Sequence, residues 1–310
     1  MNAPSLLFRY LIIGIIAISG SRAVAQQDPM YNQYMFNTLA FNPAYAGSAD
    51  VLTVMALSRH QWVGFEGAPA TQTLLAHTPL RSQNLAIGFT AITDKIGPTR
   101  QTSFYGDFAY RIRTTTSTQL SFGLKGGIDL HRADLGSLTS VDADPASMNV
   151  KGQLLPNFGF GLFWHSDTYY IGLSAPKLLE NDLDVPGADI ITTAVTARHY
   201  FLIGGYVLDI NRDLKFKPSF MLRTVEGAPL SLDLNANFLL GERIWFGALY
   251  RVGNAFGLMG QYQITEQLRA GYAFDLTTTR IGAYNAGTHE IMLSYDLRFI
   301  QGQTISPRYF

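Results

Sequence analysis

The sequence predicts an all-β protein, a transmembrane antiparallel β-barrel of about fourteen strands. The first observation is a two-residue alternation, clearest in residues 287–299, where odd positions are apolar or aromatic apart from His289 and even positions carry both signs of charge. Because successive side chains of a strand point to opposite faces, one face meets an apolar environment and the other a polar one. Seven runs share this pattern, and their apolar positions hold no Asp, Glu, Lys or Arg: residues 101–113, 119–131, 199–210, 229–240, 243–252, 267–276 and 287–299.

Composition is the second observation. Only 15% of the 310 residues are charged, the net charge is zero, 13% are aromatic and cysteine is absent. The balanced charge gives no nucleic-acid-binding footprint. No segment after the N-terminal region has 18 consecutive apolar residues, which argues against membrane-spanning helices. A closed barrel is the other structure that satisfies every backbone group in lipid.

Residues 1–25 are predicted to be a cleaved secretory signal peptide. Arg9 supplies a weak positive region, residues 11–18 form an apolar core, and Ala23-Val24-Ala25 is a small-x-small cleavage site. The alternative, a single membrane anchor, is disfavoured because the apolar run is too short to cross about 30 Å of hydrocarbon as a helix. The mature chain would then begin at Gln26.

Residues 26–50 form a second segment without any two-residue alternation. Asp28-Pro29 predicts the start of a short helix and Asn42-Pro43 its end, so the segment should be helical or coiled. Fourteen strands enclose more volume than side chains alone fill, so we expect a plug or docking element that emerges on the periplasmic side. A mobile tail is the alternative. The residues expected to carry the contacts are Tyr31, Tyr34, Phe36, Phe41, Asn42, Pro43 and Tyr45.

Residues 51–299 are predicted to form the barrel, and residues 300–310 a tail. The predicted strands are 51–60, 70–78, 84–93, 101–113, 118–131, 156–165, 167–175, 199–210, 214–224, 228–240, 243–252, 256–264, 267–276 and 287–299. The third observation is that connections after even-numbered strands are short, whereas residues 132–155 and 176–198 form long connections after odd-numbered strands. This pattern predicts both barrel termini in the periplasm and the long loops outside the cell.

Charged residues on the polar face of these strands are expected to line the lumen. Five are basic and six acidic, whereas a strongly selective pore presents one dominant sign. Mixed signs favour cross-strand pairs that satisfy one another. The residues are Asp107, Arg111, Lys125, Asp129, Asp233, Arg251, Arg269, Asp275, Glu290, Asp296 and Arg298.

Signatures of catalysis or metal binding are absent from the sequence. The six histidines show no H-E-x-x-H spacing, and residues 172–176 fail the G-x-S-x-G pattern at the last position. Acidic residues in the two long connections could hold Ca²⁺, but their spacing matches no calcium loop, so a solvated acidic loop is favoured. We therefore predict no enzymatic activity, no cofactor and no metal. A hydrolase assembled across strands remains a minor alternative.

Several stretches resemble one protein family: DPMYNQYMFNTLAFNPAYAGS, YYIGLSAPKLL, WFGALYRVGNAFGLMGQYQITEQLRAGYAFD and GTHEIMLSYDLRF. From Gln26 to Phe299 the chain is similar to the PorP/SprF outer-membrane proteins of the type IX secretion system in the Bacteroidota. The resemblance implies a non-enzymatic component that binds the periplasmic ring proteins of the secretion machinery or a secreted surface adhesin, with a link to gliding motility in some members. The alternative is a passive outer-membrane channel or a fatty-acid-type transporter.

Overall fold

Fourteen antiparallel strands form one closed sheet in the computed structural model, which describes residues 28–82, 84–134, 150–181, 196–226 and 228–297. The signal peptide, Gln26, Gln27, Arg298 and the tail lie outside the described residues. Each strand pairs with the next, and β14 pairs with β1 from Leu297↔Leu52 to His289↔His60, which closes the barrel. The predicted fold class is confirmed. The strands are β1 Leu52–His60, β2 Ala70–Pro79, β3 Leu85–Ile96, β4 Thr99–Arg113, β5 Thr118–Ala133, β6 Val150–Ser166, β7 Tyr169–Ala175, β8 His199–Tyr206 continued by Leu208–Asp209, β9 Leu214–Val225, β10 Ser231–Leu240, β11 Ile244–Arg251, β12 Ala255–Gln263, β13 Leu268–Thr277 and β14 Thr288–Leu297.

The strand boundaries differ from the prediction mainly at two hairpins. β6 begins at Val150 instead of residue 156, because a register shift between His131 and Ala133, with Gly152 at φ 72°, lets the β5–β6 ladder continue past Pro156. β3 and β4 extend to Ile96 and Thr99, so only two residues connect them. The connections after odd-numbered strands are therefore not uniformly long.

The two ends of the barrel are distinct. β1 begins and β14 ends at the short-turn end, which also carries the connections 80–84, 114–117, 167–168, 210–213, 241–243 and 264–267. The opposite, long-loop end carries the connection between β5 and β6 and that between β7 and β8. A 3₁₀ turn, Arg280–Tyr284, lies in the β13–β14 connection at this same end.

Side chains sort between the two faces of the wall as the alternation predicts. Leu124 is 65% exposed on the outer face, whereas its neighbour Lys125 is 4% exposed on the lumenal face. Tyr272 and Ile291, at apolar positions of the alternating runs 267–276 and 287–299, are 47% and 54% exposed, which confirms that the apolar positions of these runs face outward. An apolar exterior around a polar lumen is the pattern of a barrel that crosses a membrane.

The core of the protein lies inside the barrel and is built largely by the segment that precedes β1. Turns over residues 32–36 lead to a one-turn helix, α1 (Thr38–Phe41), and a 3₁₀ turn, Pro43–Tyr45. The helix start expected at Asp28-Pro29 is wrong, because Asp28 pairs with Lys177 in the β7–β8 connection and with His199 on β8 instead of capping a helix. Asn42 does end α1, and its side chain caps the 3₁₀ turn by accepting a hydrogen bond from Ala44 N (2.9 Å).

Candidate functional site in the lumen

The segment from Asp28 to Asp50, here called the lumenal segment, runs along the whole lumen. Asp50 lies at the short-turn end, where β1 begins, and its carboxylate is 2.9 Å from Arg111 Nη1. Asp28 lies at the long-loop end, where its carboxylate is 3.2 Å from Lys177 Nζ. The first described residue of the segment therefore lies at the end opposite the barrel termini, whereas the sequence led us to expect it on the same, periplasmic side. Opposite charges fix Asp28 at the far mouth.

A buried cluster joins the lumenal segment to β1, β13 and β14. Arg59 Nη1 lies 3.1 Å from Glu290 Oε2, and Arg59 Nη2 lies 3.0 Å from Asp275 Oδ2. Glu290 also accepts hydrogen bonds from the backbone N–H groups of Asn32 (2.8 Å) and Gln33 (2.9 Å). The Asn32 side chain donates to Asp275 (2.7 Å). One guanidinium between two carboxylates leaves a negative charge, which the backbone donors of the segment stabilise.

Two further ion pairs line the wall, one between β4 and β5 and the other between β10 and β11. Lys125 Nζ lies 2.8 Å from Asp107 Oδ1 and 3.4 Å from Leu39 O of the segment. Arg251 binds Asp233 through three hydrogen bonds of 2.9 to 3.1 Å. These lumenal charges are paired across neighbouring strands, as expected from their mixed signs.

Asp129 belongs to the long-loop mouth. Its carboxylate accepts hydrogen bonds from the Ser103 hydroxyl and, at 2.8 Å, from the Tyr105 hydroxyl. Lys177 Nζ lies 3.5 Å from the same carboxylate and so links Asp129 to Asp28. Burial alone would raise the pKa of Asp28, but Lys177 and His199 outweigh it and lower that pKa to about 2.

The short-turn end carries the remaining lumenal charges. Asp296 accepts a hydrogen bond from Thr53 (2.7 Å), and the Arg269 guanidinium lies 5.1 Å from the centre of the Phe36 ring. Arg111 donates to Gly47 O (2.8 Å) in addition to its contact with Asp50. Arg298 lies outside the described residues. Arg111 therefore fastens the end of the lumenal segment, and Arg269 packs against its Phe36 ring.

Aromatic side chains of the lumenal segment pack against rings of the wall, edge-on for Phe36 and Tyr45 and tilted for Phe41. Phe36 lies 5.5 Å from the ring of Trp245, and Tyr45 lies 5.4 Å from the rings of His77 and Phe163. Phe41 lies 5.1 Å from Phe201 and 5.5 Å from Tyr31. Tyr34 is fully buried within the same cluster. Such contacts contribute about 0.5–1.5 kcal/mol per pair beyond the area that they bury.

Two wall glycines make room for the segment. Gly123 on β5 and Gly161 on β6 are cross-strand neighbours. A Cβ at Gly123 would lie 2.1 Å from Ala44 N, and one at Gly161 would lie 2.0 Å from the Asn42 side-chain oxygen. The pair forms a notch that receives Asn42, Pro43 and Ala44, and the Asn42 amide donates to Leu162 O (2.9 Å) beside it.

Sequence reasoning missed several residues of this site. Arg59 lies at an odd position of β1, the same parity as the inward-facing Met55 and Leu57, so the rule that apolar positions face outward does not assign it to the lumen. Lys177 lies in a long connection, where no periodicity exists. Lys217 is fully buried between Phe36, Tyr170 and Trp245, with its Nζ 4.9 to 5.6 Å from the three ring centres. The alternation of β9 places Lys217 inward but gives no hint of this aromatic surrounding.

Small cavities lie beside the segment at the long-loop mouth. Two adjoining cavities of about 30 and 40 Å³ lie at the long-loop mouth and share Asp28, Pro29, Ser103 and Lys177 in their lining. Each is large enough for one or two water molecules. Within the described residues, no group of His, Cys, Asp and Glu side chains could hold a metal ion. The helices of the described part are all too short or too polar to cross a membrane.

Comparison with known proteins identifies one family and one fold. The family described as type IX secretion system membrane protein PorP/SprF matches residues 23–295. No curated protein matches the chain. Among solved structures, the CymD monoaromatic hydrocarbon channel is similar with a TM-score of 0.51 at 10% identity, covering 91% of this chain and 96% of its own. A Pseudomonas aeruginosa FadL homologue is similar with a TM-score of 0.47 at 12% identity, covering 90% and 96%.

Proposed function

Since the chain belongs to the PorP/SprF family of type IX secretion system membrane proteins, we propose that it is a non-enzymatic component of that system whose barrel is closed by its own lumenal segment. The barrel lies in the outer membrane. In this role the protein binds the secretion machinery or a secreted adhesin and does not conduct solutes. The observation that carries the proposal is the lumenal segment, which fills the barrel from Asp50 to Asp28.

Burial of ion pairs supports a permanently filled lumen. Arg59, Asp275 and Glu290 are each at most 2% exposed, and two backbone N–H groups of the segment complete their hydrogen bonds. Withdrawing the segment would leave Arg59, Asp275 and Glu290 with only water and one another as hydrogen-bond partners. A hydrogen bond to a charged group contributes about 1.5–3 kcal/mol, so losing the two backbone donors to Glu290 favours the filled lumen as the stable state.

The orientation is part of the same proposal. Both barrel termini lie at the short-turn end, which we place in the periplasm, and the long-loop end then faces the cell exterior. Asp28 would lie at the outer mouth, so the start of the mature chain is available to a surface adhesin and not to a periplasmic ring. Contacts with ring proteins would use the short turns.

Protease added to intact cells tests the orientation. It should cleave within residues 132–155 and 176–198 and leave the short turns intact. Cleavage of these two connections only after the outer membrane is permeabilised would show the opposite orientation. Crosslinking in the same cells, followed by identification of the attached proteins, distinguishes a secreted adhesin from ring proteins.

A passive channel or fatty-acid-type transporter is the second candidate. Its support is the fold similarity to CymD, described as a monoaromatic hydrocarbon channel, and the two small cavities at the long-loop mouth. This function would require the lumenal segment to move. Planar-bilayer recordings of the purified full-length protein separate the two, because a closed barrel stays silent and a channel conducts.

A further inference from the structure

The outer surface of the barrel changes character on one side. From β4 to β14 its outward positions carry mostly large apolar side chains such as Phe108, Leu258 and Tyr272. On β1, β2 and the second half of β3 most outward side chains are small or polar, with Leu52 and Leu74 as exceptions. These residues are Val54, Ala56, Ser58, His60, Ala70, Gln72, Ala76, Ala91 and Thr93.

The polar residues of this surface lie side by side in one row. Ser58 is the cross-strand partner of Gln72, and Gln72 is the partner of Thr93. On one side, the cross-strand partner of Ser58 is the apolar Ile291, which ends the row. On the other side, Thr93 is followed by its partner Thr102 and then by the apolar Leu130, which ends the row there. Ser58 is 3.2 Å from His60, and Thr93 is 3.4 Å from Thr102. No hydrogen bond joins the Gln72 side chain to another of the described residues.

Whether these polar side chains lie in hydrocarbon depends on their depth in the membrane. Gln72 lies seven residues along β2 from Pro79, the last residue of that strand at the short-turn end. At a rise of about 3.3 Å per residue and a tilt of about 40°, Gln72 lies about 18 Å above that end. The apolar band of such barrels is about 25 Å tall. Ser58, six residues from Leu52, lies at about 15 Å and so within the band as well.

Hydrocarbon offers no partner to an amide side chain, so polar residues in a membrane usually contact other protein groups. Small residues around them let two protein surfaces approach closely, as at interfaces between membrane-spanning elements. We propose that the outward face of β1 to β3 binds a second integral outer-membrane protein, which presents a hydrogen-bonding side chain at the depth of Gln72. Assigning that partner to the secretion machinery rests on the proposed function.

The loops above this face extend the same surface. The β1–β2 connection is fastened to the end of β13 and the β13–β14 connection, because Trp62 Nε1 donates to Thr277 (3.0 Å) and Val63 N donates to Gly287 O (2.8 Å). The side chains of Val63, Phe65 and Tyr284 are exposed there. Aromatic residues at this height also suit lipid headgroups, so the polar row carries the argument. Phe65 supplies a second position at which contact with the partner can be detected.

Single cysteines test this proposal cleanly, because the native chain has none. Gln72→Cys, Phe65→Cys and the control Leu234→Cys, which faces outward six residues from the end of β10, are labelled in intact cells with a maleimide photocrosslinker. We expect Gln72→Cys and Phe65→Cys to yield an adduct with the same integral membrane protein, and Leu234→Cys to yield none. Adding Gln72→Leu to Phe65→Cys should reduce the adduct at least tenfold while the barrel stays heat-modifiable.

Four outcomes would overturn the proposal. They are the absence of any adduct at Gln72→Cys, lipid adducts alone at Gln72→Cys, equal protein adducts at Leu234→Cys, and an adduct of twice the chain's own mass, which indicates a second copy. Secretion assays keep the proposed function separate. If cells lacking this chain secrete normally while the Gln72→Cys adduct forms, the proposed function fails and the interface stands. If secretion requires the chain and no adduct forms, the interface alone is refuted.

Discussion

The substitution Gly123→Ala should displace the lumenal segment without unfolding the barrel. The three atoms nearest to the added methyl group all belong to the segment: Ala44 N at 2.1 Å, Pro43 C at 2.4 Å and Ala44 Cα at 2.5 Å. Because these are backbone atoms, no side-chain rotation relieves the overlap, and the 3₁₀ turn must move by more than 1 Å to reach ordinary contact distance. Overpacking of this kind costs about 1–3 kcal/mol.

The displaced turn should also lose hydrogen bonds. The Asn42 amide would separate from Leu162 O, and a typical hydrogen bond contributes about 0.5–1.5 kcal/mol. A total near 3 kcal/mol corresponds to roughly a 160-fold rise in the population with the turn released. Hydrogen exchange measures this, because the amides of Ala44 and Ala46 should exchange roughly 160-fold faster in the variant.

The matched control is Gly126→Ala on the same strand. Gly126 faces outward and has no atom within 4 Å of its added Cβ, so exchange at Ala44 and Ala46 should stay unchanged. Heat-modifiable migration in gels should show a folded barrel for both variants. Unaltered protection of Ala44 and Ala46 in Gly123→Ala would refute the tight fit of the turn in the wall. Equal effects of both variants would show that strand β5 itself, and not the notch, is sensitive.

Further predictions concern the wall, the mouth and the buried cluster. Tyr272→Arg or Ile291→Arg should destabilise the barrel by about 2–4 kcal/mol near the bilayer midplane, whereas Gln263→Arg, at an inward position, should be tolerated. Urea titration in lipid vesicles measures the free energy of unfolding of each variant. A larger loss for Gln263→Arg would show that the positions assigned to the lumen face the lipid instead. Because the pKa of Asp28 is lowered from 3.8 to about 2, its stabilisation of roughly 2 kcal/mol is fully present above pH 3.8 and is lost as the pH falls toward 2. The protection factors of the amides in the turns over residues 32–36, which correct exchange rates for their intrinsic pH dependence, should therefore fall over that range in the native chain and stay constant in Asp28→Asn. Arg59→Met should cost about 3–5 kcal/mol, because Asp275 and Glu290 would remain buried without their cation; a loss below 1 kcal/mol would mean that the cluster contributes little.

The wall could be predicted from the sequence because the two faces of a membrane-spanning strand meet different environments, lipid on the outside and a polar lumen on the inside. Alternation alone placed Tyr272 outside and Asp233 inside, and both positions hold in the structure. The partners of the lumenal charges could not be predicted in the same way. Arg59 meets Asp275 and Glu290 only because β1 closes the barrel against β14, and no local pattern encodes that long-range contact.

The path of the lumenal segment was beyond sequence reasoning for a different reason. Its aromatic and amide residues follow no period, so neither its direction nor its register along the wall is encoded locally. The path depends on a few fixed points: the Gly123 notch, the Glu290 carboxylate that binds the turn at Asn32, and Lys177 at the mouth. The glycines carry no chemical signal in the sequence, since their role is the space that a missing Cβ leaves.

Planar-bilayer conductance of the purified barrel with and without residues 27–48 tests the central claim most directly. The deletion keeps the signal peptide, its predicted cleavage site and every strand, while it removes the side chains that pack inside the lumen. We expect the full-length protein to be silent and the heat-modifiable deletion variant to conduct ions in discrete steps. A folded deletion variant that stays silent, or a full-length protein that conducts as well as the variant, would contradict the conclusion that the lumenal segment closes the barrel.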